Sequence, residues 1–348
     1  MLVQAALWRC NRKAVPPRDA HPAAKLAHQS QRRYYRVIET PETAHEPSVN
    51  EIHLLGVPPL AGYVDHVTRR TVGGDRADEA VLIDQWRAAA QHYQRLEQSE
   101  AGEADRAGID PIPATMAPRI DALVAEPGFS HGFGELPIAF GMVELDRLVV
   151  YQQHVSLTHA QRFTDALQAG VSRNDALFDI CLPDQQHVPP IRSAKSGGGR
   201  FVFQSDVLDL RSFGPRLLAP DAAHSVMTPN GPATAGVALG VGYGVRHLNI
   251  VRLGKRMVLN NGYHRAYALR AAGVTHVPCI VQAIAHPEEL AFAGGSSLID
   301  NFDRLFSAAR PPLFKDYFDP ALTTRLSLPP MRKQIQITVT IETLRVPA

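Results

Sequence analysis

A chain of 348 residues has room for two modest domains, or for one domain carrying large insertions. Its 45% hydrophobic and 20% charged content is that of an ordinary globular protein. Lys plus Arg (36) nearly balance Asp plus Glu (34) and leave a net charge of +2, which removes the electrostatic case for a general nucleic-acid binder. The three cysteines, Cys10, Cys181 and Cys279, form neither a CxxC pair nor a disulfide framework, so a reducing cytoplasm is the expected location. The opening segment lacks the basic start and long apolar run of a secretory signal. The longest weakly polar stretch, 231–245, is too short and Gly-rich to span a bilayer, so a soluble protein with no membrane partner is expected.

Residues 1–33 mix Pro, His, Arg and Ala without periodicity and read as a poorly ordered arm. The region 34–140 reads as mainly helical. Ile83, Trp86, Ala90, Tyr93 and Leu96 recur at helical spacing and predict a helix over 76–98, with Asp75 or Asp78 at its cap. A second, short helix is expected at 117–125, after a polar, proline-ended linker, and "EPGFSHGFGELP" (126–137) reads as loop.

The character changes near 142. "RLVVY" (147–151) is a strand candidate, and 157–170 reads as a helix with Thr158 at its N-cap and Gly170 past its end. "FDICLP", "RFVFQSDVLDL" and "HLNIVRLG" look like strands or their approaches, and "SAKSGGGR" (193–200) like a flexible loop. "GVGYG" (240–244) lacks the third spaced glycine and following helix of a dinucleotide fingerprint and reads as a Gly-rich strand or turn. Near the end, Ile335, Ile337, Val339 and Ile341 alternate with polar residues, the pattern of a half-buried strand.

The stretch "LNNGYHRAYALRAAGVTHVPCIV" (259–281) carries the chemistry. It predicts a strand at 256–260, a turn, a helix over 264–272 and a strand at 277–284. Asn260 or Asn261 suits N-cap duty, Gly262 suits a positive φ, and Gly273 suits the position just past the helix. Arg265, Ala268, Leu269 and Ala272 fall on one helical face, so Arg265 begins a buried stripe where the helix has unpaired amides. A cation there needs an anion. A bound phosphate would serve both Arg265 and the amides, and a carboxylate of the chain itself (Glu144, Asp146 or Asp206) would serve Arg265 alone. The two readings stand even on spacing.

The same residues resemble the phosphate-binding motif of the ParB N-terminal and sulfiredoxin-like superfamily, a Gly-x-His-Arg-x-x-Ala run at a strand-to-helix turn, matched here by Gly262, His264, Arg265 and Ala268. "VELDRLVVYQ" (143–152) is similar to the first strand and turn of that fold. The resemblance implies an α+β fold: a mixed-sheet core over 141–285 with an insertion at about 153–255, and a C-terminal extension over 286–348 that returns a strand. It implies a nucleotide or phosphorylated small molecule bound by Asn261, Gly262, Tyr263, His264 and Arg265, with ATP or CTP and Mg²⁺ as the cofactors. NTP hydrolysis or phosphotransfer is the activity that goes with such a site, and Glu144, Asp146 and His264 are the catalytic candidates. The alternative is a non-catalytic interaction module that retains the phosphate loop.

Departures from the family narrow this. Tyr263 stands where sulfiredoxins carry their cysteine, so sulfinic acid reduction is not expected. No basic recognition helix follows Ile284, so sequence-specific DNA binding is not expected either. Gln152 and Gln153 stand where kinases of the superfamily carry a glutamate, and glutamine cannot act as a base. The fifteen histidines show no HxH or HxxxH spacing and give no metal site, His264 and His276 being the nearest to candidates. "AARPPLFKDYFDP" (308–320) reads first as a segment docked through its aromatics, and second as a lid carrying Arg310 or Lys315. The apolar stripe of the 76–98 helix is first a core face, and a homodimer face only secondarily.

Overall fold

The computed structural model describes residues 49–168, 173–184, 189–293 and 296–347. The expected N-terminal arm and Gly170 lie outside these. The chain divides into two compact units, 47–189 with 243–331, and 190–242 with 332 onward. The fold is α+β. Among the described residues no helix is long and apolar enough to cross a membrane.

The larger unit begins with β1 (Val49–Leu54), α1 (Leu60–Arg70) and α2 (Glu79–Ser99). Asp78 caps α2 by accepting from the Ala80 N–H at 2.9 Å. Leu82, Ala89 and Tyr93 are its buried stripe, and Leu82 and Ala89 pack with Tyr63 and Val67 of α1. The two-residue β2 (Ile109–Asp110) follows, then α3 (Ala117–Val124) and α4 (Pro127–Phe133). The 126–137 loop expectation is therefore corrected. Pro127 sits in the first turn of α4, where its missing N–H costs nothing, and Phe129 and Phe133 are buried one turn apart.

β3 (Ile138–Glu144) precedes "RLVVY" rather than containing it. The 148–150 stretch is fully buried but makes only isolated bridges, Val149 to Val258 and to Leu313. β4 (His154–Ser156), α5 (Leu157–Gln168) and α6 (Arg173–Cys181) come next. "FDICLP" thus belongs to the end of a helix, because Ala176, Leu177, Ile180 and Cys181 are buried at spacings of one, three and four rather than alternately.

The smaller unit carries β5 (Arg192–Ser196), β6 (Arg200–Ser205), β7 (Leu210–Leu217), the short β8 (Met227–Thr228) and β9 (Gly231–Pro232), and β10 (Val237–Tyr243). "SAKSGGGR" is no free loop: it forms β5 and the turn of a hairpin with β6, with Gly198 and Gly199 at positive φ.

The larger unit resumes with β11 (Asn249–Leu253), β12 (Arg256–Asn261), α7 (Tyr263–Ala271), β13 (His276–Ile284) and β14 (Thr323–Leu328). Its main sheet has the order β12-β11-β13-β3-β2; β11 runs parallel to β13 and the other pairs are antiparallel. Val143 pairs with Val277 and Glu144 with His276, which brings the first two residues of "VELDRLVVYQ" into the sheet of 277–284. Alternation sends Ile250, Met257 and Leu259 to one core and Val251 and Val258 to another. A second sheet, β14-β1-β4, takes its middle strand β1 from the region expected to be mainly helical and its other two strands from outside it. β15 (Lys333–Thr338) belongs to the smaller unit and pairs with β6. Ile335 and Ile337 are half-buried, as their alternation predicts, and Ile341 lies beyond the strand and is exposed.

The 308–320 segment is docked. Leu313, Phe314 and Tyr317 are fully buried. Arg310 is 1% exposed and bonds Asp316 through Nη1 at 2.5 Å and Nη2 at 2.7 Å, and Glu100 at 3.0 Å. Lys315 also pairs with Glu100, at 2.9 Å. Neither cation is held ready for a ligand.

Candidate functional site: the turn into α7

Strand β12 ends in two asparagines whose side chains are spent on the turn itself. Asn261 donates to the carbonyls of Val245 (2.6 Å) and His247 (3.1 Å). Asn260 donates to Asn249 Oδ1 at 3.0 Å and to the Ala293 carbonyl at 2.8 Å, and accepts from the Tyr151 hydroxyl. Neither caps α7, which corrects the capping expectation. The N-cap position is Gly262, at φ 103°. A Cβ there would meet Leu248 Cγ at 2.9 Å and Leu248 Cα at 3.2 Å, so both conformation and space require glycine. Among the described residues no side chain caps this end, and the first-turn amides of α7 carry the positive end of its dipole. At the other end Gly273 (φ 80°) closes the helix as expected: Val274 donates to Leu269 and Gly273 to Arg270.

The side chains of the motif part company. Tyr263 turns into the core, where its hydroxyl donates to the Leu259 carbonyl at 2.7 Å and accepts from the Tyr151 N–H at 3.1 Å. His264 meets His159 of α5 edge to face at 4.9 Å. Burial, with His159, His154 and Arg265 nearby, pushes the His264 imidazole down to about 3, so it is neutral at physiological pH. The guanidinium of Arg265 lies 5.4 Å from the centre of the Phe163 ring. Burial, followed by the charge of Arg265, lowers the buried His247 to about 4. Ser156, not Thr158, caps α5, accepting from the His159 N–H at 3.1 Å; Thr158 Oγ1 instead accepts from the Asn50 N–H.

The three carboxylates weighed as partners of Arg265 are all engaged elsewhere. Glu144 pairs with Arg147, Asp146 holds Arg270 through two bonds of 2.6 and 3.0 Å, and Asp206 pairs with Arg332 at 2.7 Å. Arg270 is in the last turn of α7, and Glu144 stands beside His276, past that end. At 1.5 Å per residue this is roughly 10 Å along the helix from Gly262. Glu144 and Asp146 therefore stand at the opposite end of α7 from Gly262, His264 and Arg265. A groove of about 710 Å³ runs beside α5, lined by Thr158, Gln161, Arg162 and Asp165 with Arg325, on a different helical face from His159 and Phe163.

His264 and His276 do not come together either. His276 faces Asp110 at 3.9 Å at the far end of α7. The histidines that do converge are others. Glu51 and His53 share one face of β1, His154 of β4 lies directly across from His53, and His66 comes from α1. One ligand atom from each of Glu51, His53 and His154 lies within 4.8 Å of the other two. Glu51 accepts from His66 Nε2 at 2.7 Å. Burial alone would raise the Glu51 carboxyl, but the imidazoles of His53, His66 and His154 bring it down to about 2. The only sequence signal for this set is Glu51-x-His53, which needs a strand to mean anything. His66 comes from the next helix and His154 from a strand about a hundred positions further on.

No family model, curated protein or solved structure matches this chain.

Proposed function

We propose that the protein binds a nucleotide or another phosphorylated small molecule at the first turn of α7, as a divergent member of the ParB N-terminal and sulfiredoxin-like superfamily. The observation that carries this reading is the Gly262 turn, which presents uncapped helix amides beside His264 and Arg265. A phosphate oxygen at such an end accepts from backbone N–H groups and is favoured by the dipole. In this reading Asn261 sets the turn and Gly262 supplies the positive φ from which α7 starts. The neutral His264 donates one hydrogen bond, and Arg265 supplies the charge. Glu144, Asp146 and Asp206 each pair with another arginine. ATP or CTP with Mg²⁺ is the ligand the family motif favours.

Of the three catalytic candidates only His264 stands at the turn, Glu144 and Asp146 being at the other end of α7, and an imidazole lowered to about 3 is a weak general base. The same fact favours the second reading, a binding module without catalysis. Thermal unfolding of the full chain with ATP, CTP, GTP and ADP, with and without Mg²⁺, tests the first reading. A ligand at 100 times its dissociation constant adds about 2.7 kcal/mol. The expected result is stabilisation of the wild type by at least one nucleotide and its loss in Arg265→Gln. No shift in the wild type with any of the four would overturn the proposal. Phosphate release assayed on the same samples separates enzyme from binder.

A further inference from the structure

The cluster on β1 and β4 poses a physical problem that the phosphate reading does not address. His53 is 1% exposed, and neither ring nitrogen has a hydrogen-bond partner among the described residues. Its nearest polar contact, Nδ1 to Glu51 Oε1, is 3.8 Å, too long for a hydrogen bond. An imidazole left this way carries the desolvation cost of its unmade hydrogen bonds, and an apolar ring of similar shape would avoid that cost. Against it stand the buried carboxylate of Glu51, 5% exposed, and the imidazole of His154, stacked on His53 at 6.0 Å. His66 completes the group, its ring centre 4.8 Å from that of His53.

We propose that Glu51, His53 and His154 bind a divalent transition-metal ion of the zinc type, with His66 holding the Glu51 carboxylate in place. The chemistry of the set selects the ion. Two imidazoles and one carboxylate suit zinc and its first-row neighbours, whereas calcium and magnesium prefer all-oxygen shells. The size is right as well. Ligands at about 2.0–2.2 Å from a tetrahedral zinc stand about 3.4 Å apart, so atoms already within 4.8 Å of one another close on an ion by small side-chain rotations. The pairing of β1 with β4 sets His53 opposite His154, so the backbone fixes two of the ligands before any metal arrives. The Glu51–His66 bond has the form of the outer hydrogen bond that orients a ligating group. Three protein ligands leave a fourth position for water or substrate, the arrangement of catalytic rather than structural zinc. His154 is the exposed member of the set and marks the side from which that position opens.

The test uses the full chain, stripped with a chelator and titrated with Co²⁺ and then with Zn²⁺ in competition. One Co²⁺ per chain, with the visible absorption of a low-symmetry site, no thiolate charge-transfer band and displacement by one Zn²⁺, is expected. Both described cysteines are buried outside the cluster. His53→Phe and Glu51→Gln are each expected to weaken that site by at least 100-fold, and His66→Ala by 10–100-fold through loss of the outer bond. Arg265→Gln is expected to leave it unchanged, which separates this proposal from the phosphate reading. His53→Phe removes only a buried, unbonded ring edge, so its metal-free form should fold. If that folded variant binds Co²⁺ as the wild type does, or if the wild type shows no stoichiometric site, the proposal is overturned.

Discussion

Two buried polar clusters in the larger unit solve the same problem in opposite ways. Around Arg310, the cation meets the carboxylates of Asp316 and Glu100, the Tyr93 ring at 5.0 Å, and a backbone N–H, that of Leu313, which closes on Asp316 at 2.9 Å. Its charge and most of its donors are met within the protein. Around His53, a buried carboxylate and converging imidazoles leave both nitrogens of one ring unbonded. The first cluster needs nothing further and reads as scaffold, tying α2 to the 308–320 segment. The second is complete only with something added. Burial of charged groups alone does not distinguish structure from function; the count of unsatisfied atoms does.

The largest effect that would sharpen this contrast is in the satisfied cluster. Asp316→Ala leaves the buried Arg310 with only the partly exposed Glu100 among its described carboxylates and is expected to cost about 3 kcal/mol by denaturant unfolding. Replacing Arg310 and Asp316 together with apolar residues should cost far less, because no uncompensated charge remains. Equal losses in the single and double variants would break the account of this cluster as a closed pair.

His247 offers a pH-dependent effect of similar size. It is fully buried between Phe129 and Phe133, and burial, with Arg265 and Arg246 adding to it, holds its imidazole down at about 4. Since the unfolded ring titrates near 6.5, the unfolded state binds the extra proton below that value. Stability is therefore expected to fall as the pH drops from 6.5 to 4, by about 3 kcal/mol from this one group. His247→Phe should make that part of the pH profile shallower, with the lowered His264 still contributing, as read by thermal unfolding between pH 4 and 7. An unchanged profile would mean that the ring is satisfied in solution.

The smallest effect is the most discriminating. Metal-free His53→Phe is expected to lie within about 1 kcal/mol of the metal-free wild type, because an unbonded imidazole is exchanged for a ring that needs no partner. A loss on the scale of Asp316→Ala would place His53 in the same class as Arg310 and erase the difference between the two clusters.

The sequence by itself determined what depends on neighbours along the chain. The run from 256 to 284 was legible as strand, turn, helix and strand, because Gly262 and Gly273 flank a nine-residue helix that contains no competing breaker. The Asp78 cap, the alternation around Ile335 and Ile337, and the docking of Phe314 and Tyr317 were legible for the same local reasons. Tertiary structure decided the rest. "FDIC" is β-like in composition, yet it is helical where helix α6 buries Phe178 and Cys181 together. Asn260 and Asn261 have the chemistry of caps, but carbonyls of Val245, His247 and Ala293 take their amides first. Glu144 and Asp146 lie close in sequence to the expected core strand, yet β3 runs antiparallel to β13 and delivers them to the wrong end of α7. Glu51 and His154 are about a hundred positions apart and meet only because β1 pairs with β4. Side-chain periodicity fixes which face a residue takes, but pairing register between distant strands fixes which residues share it, and that register is written in no single stretch of the chain.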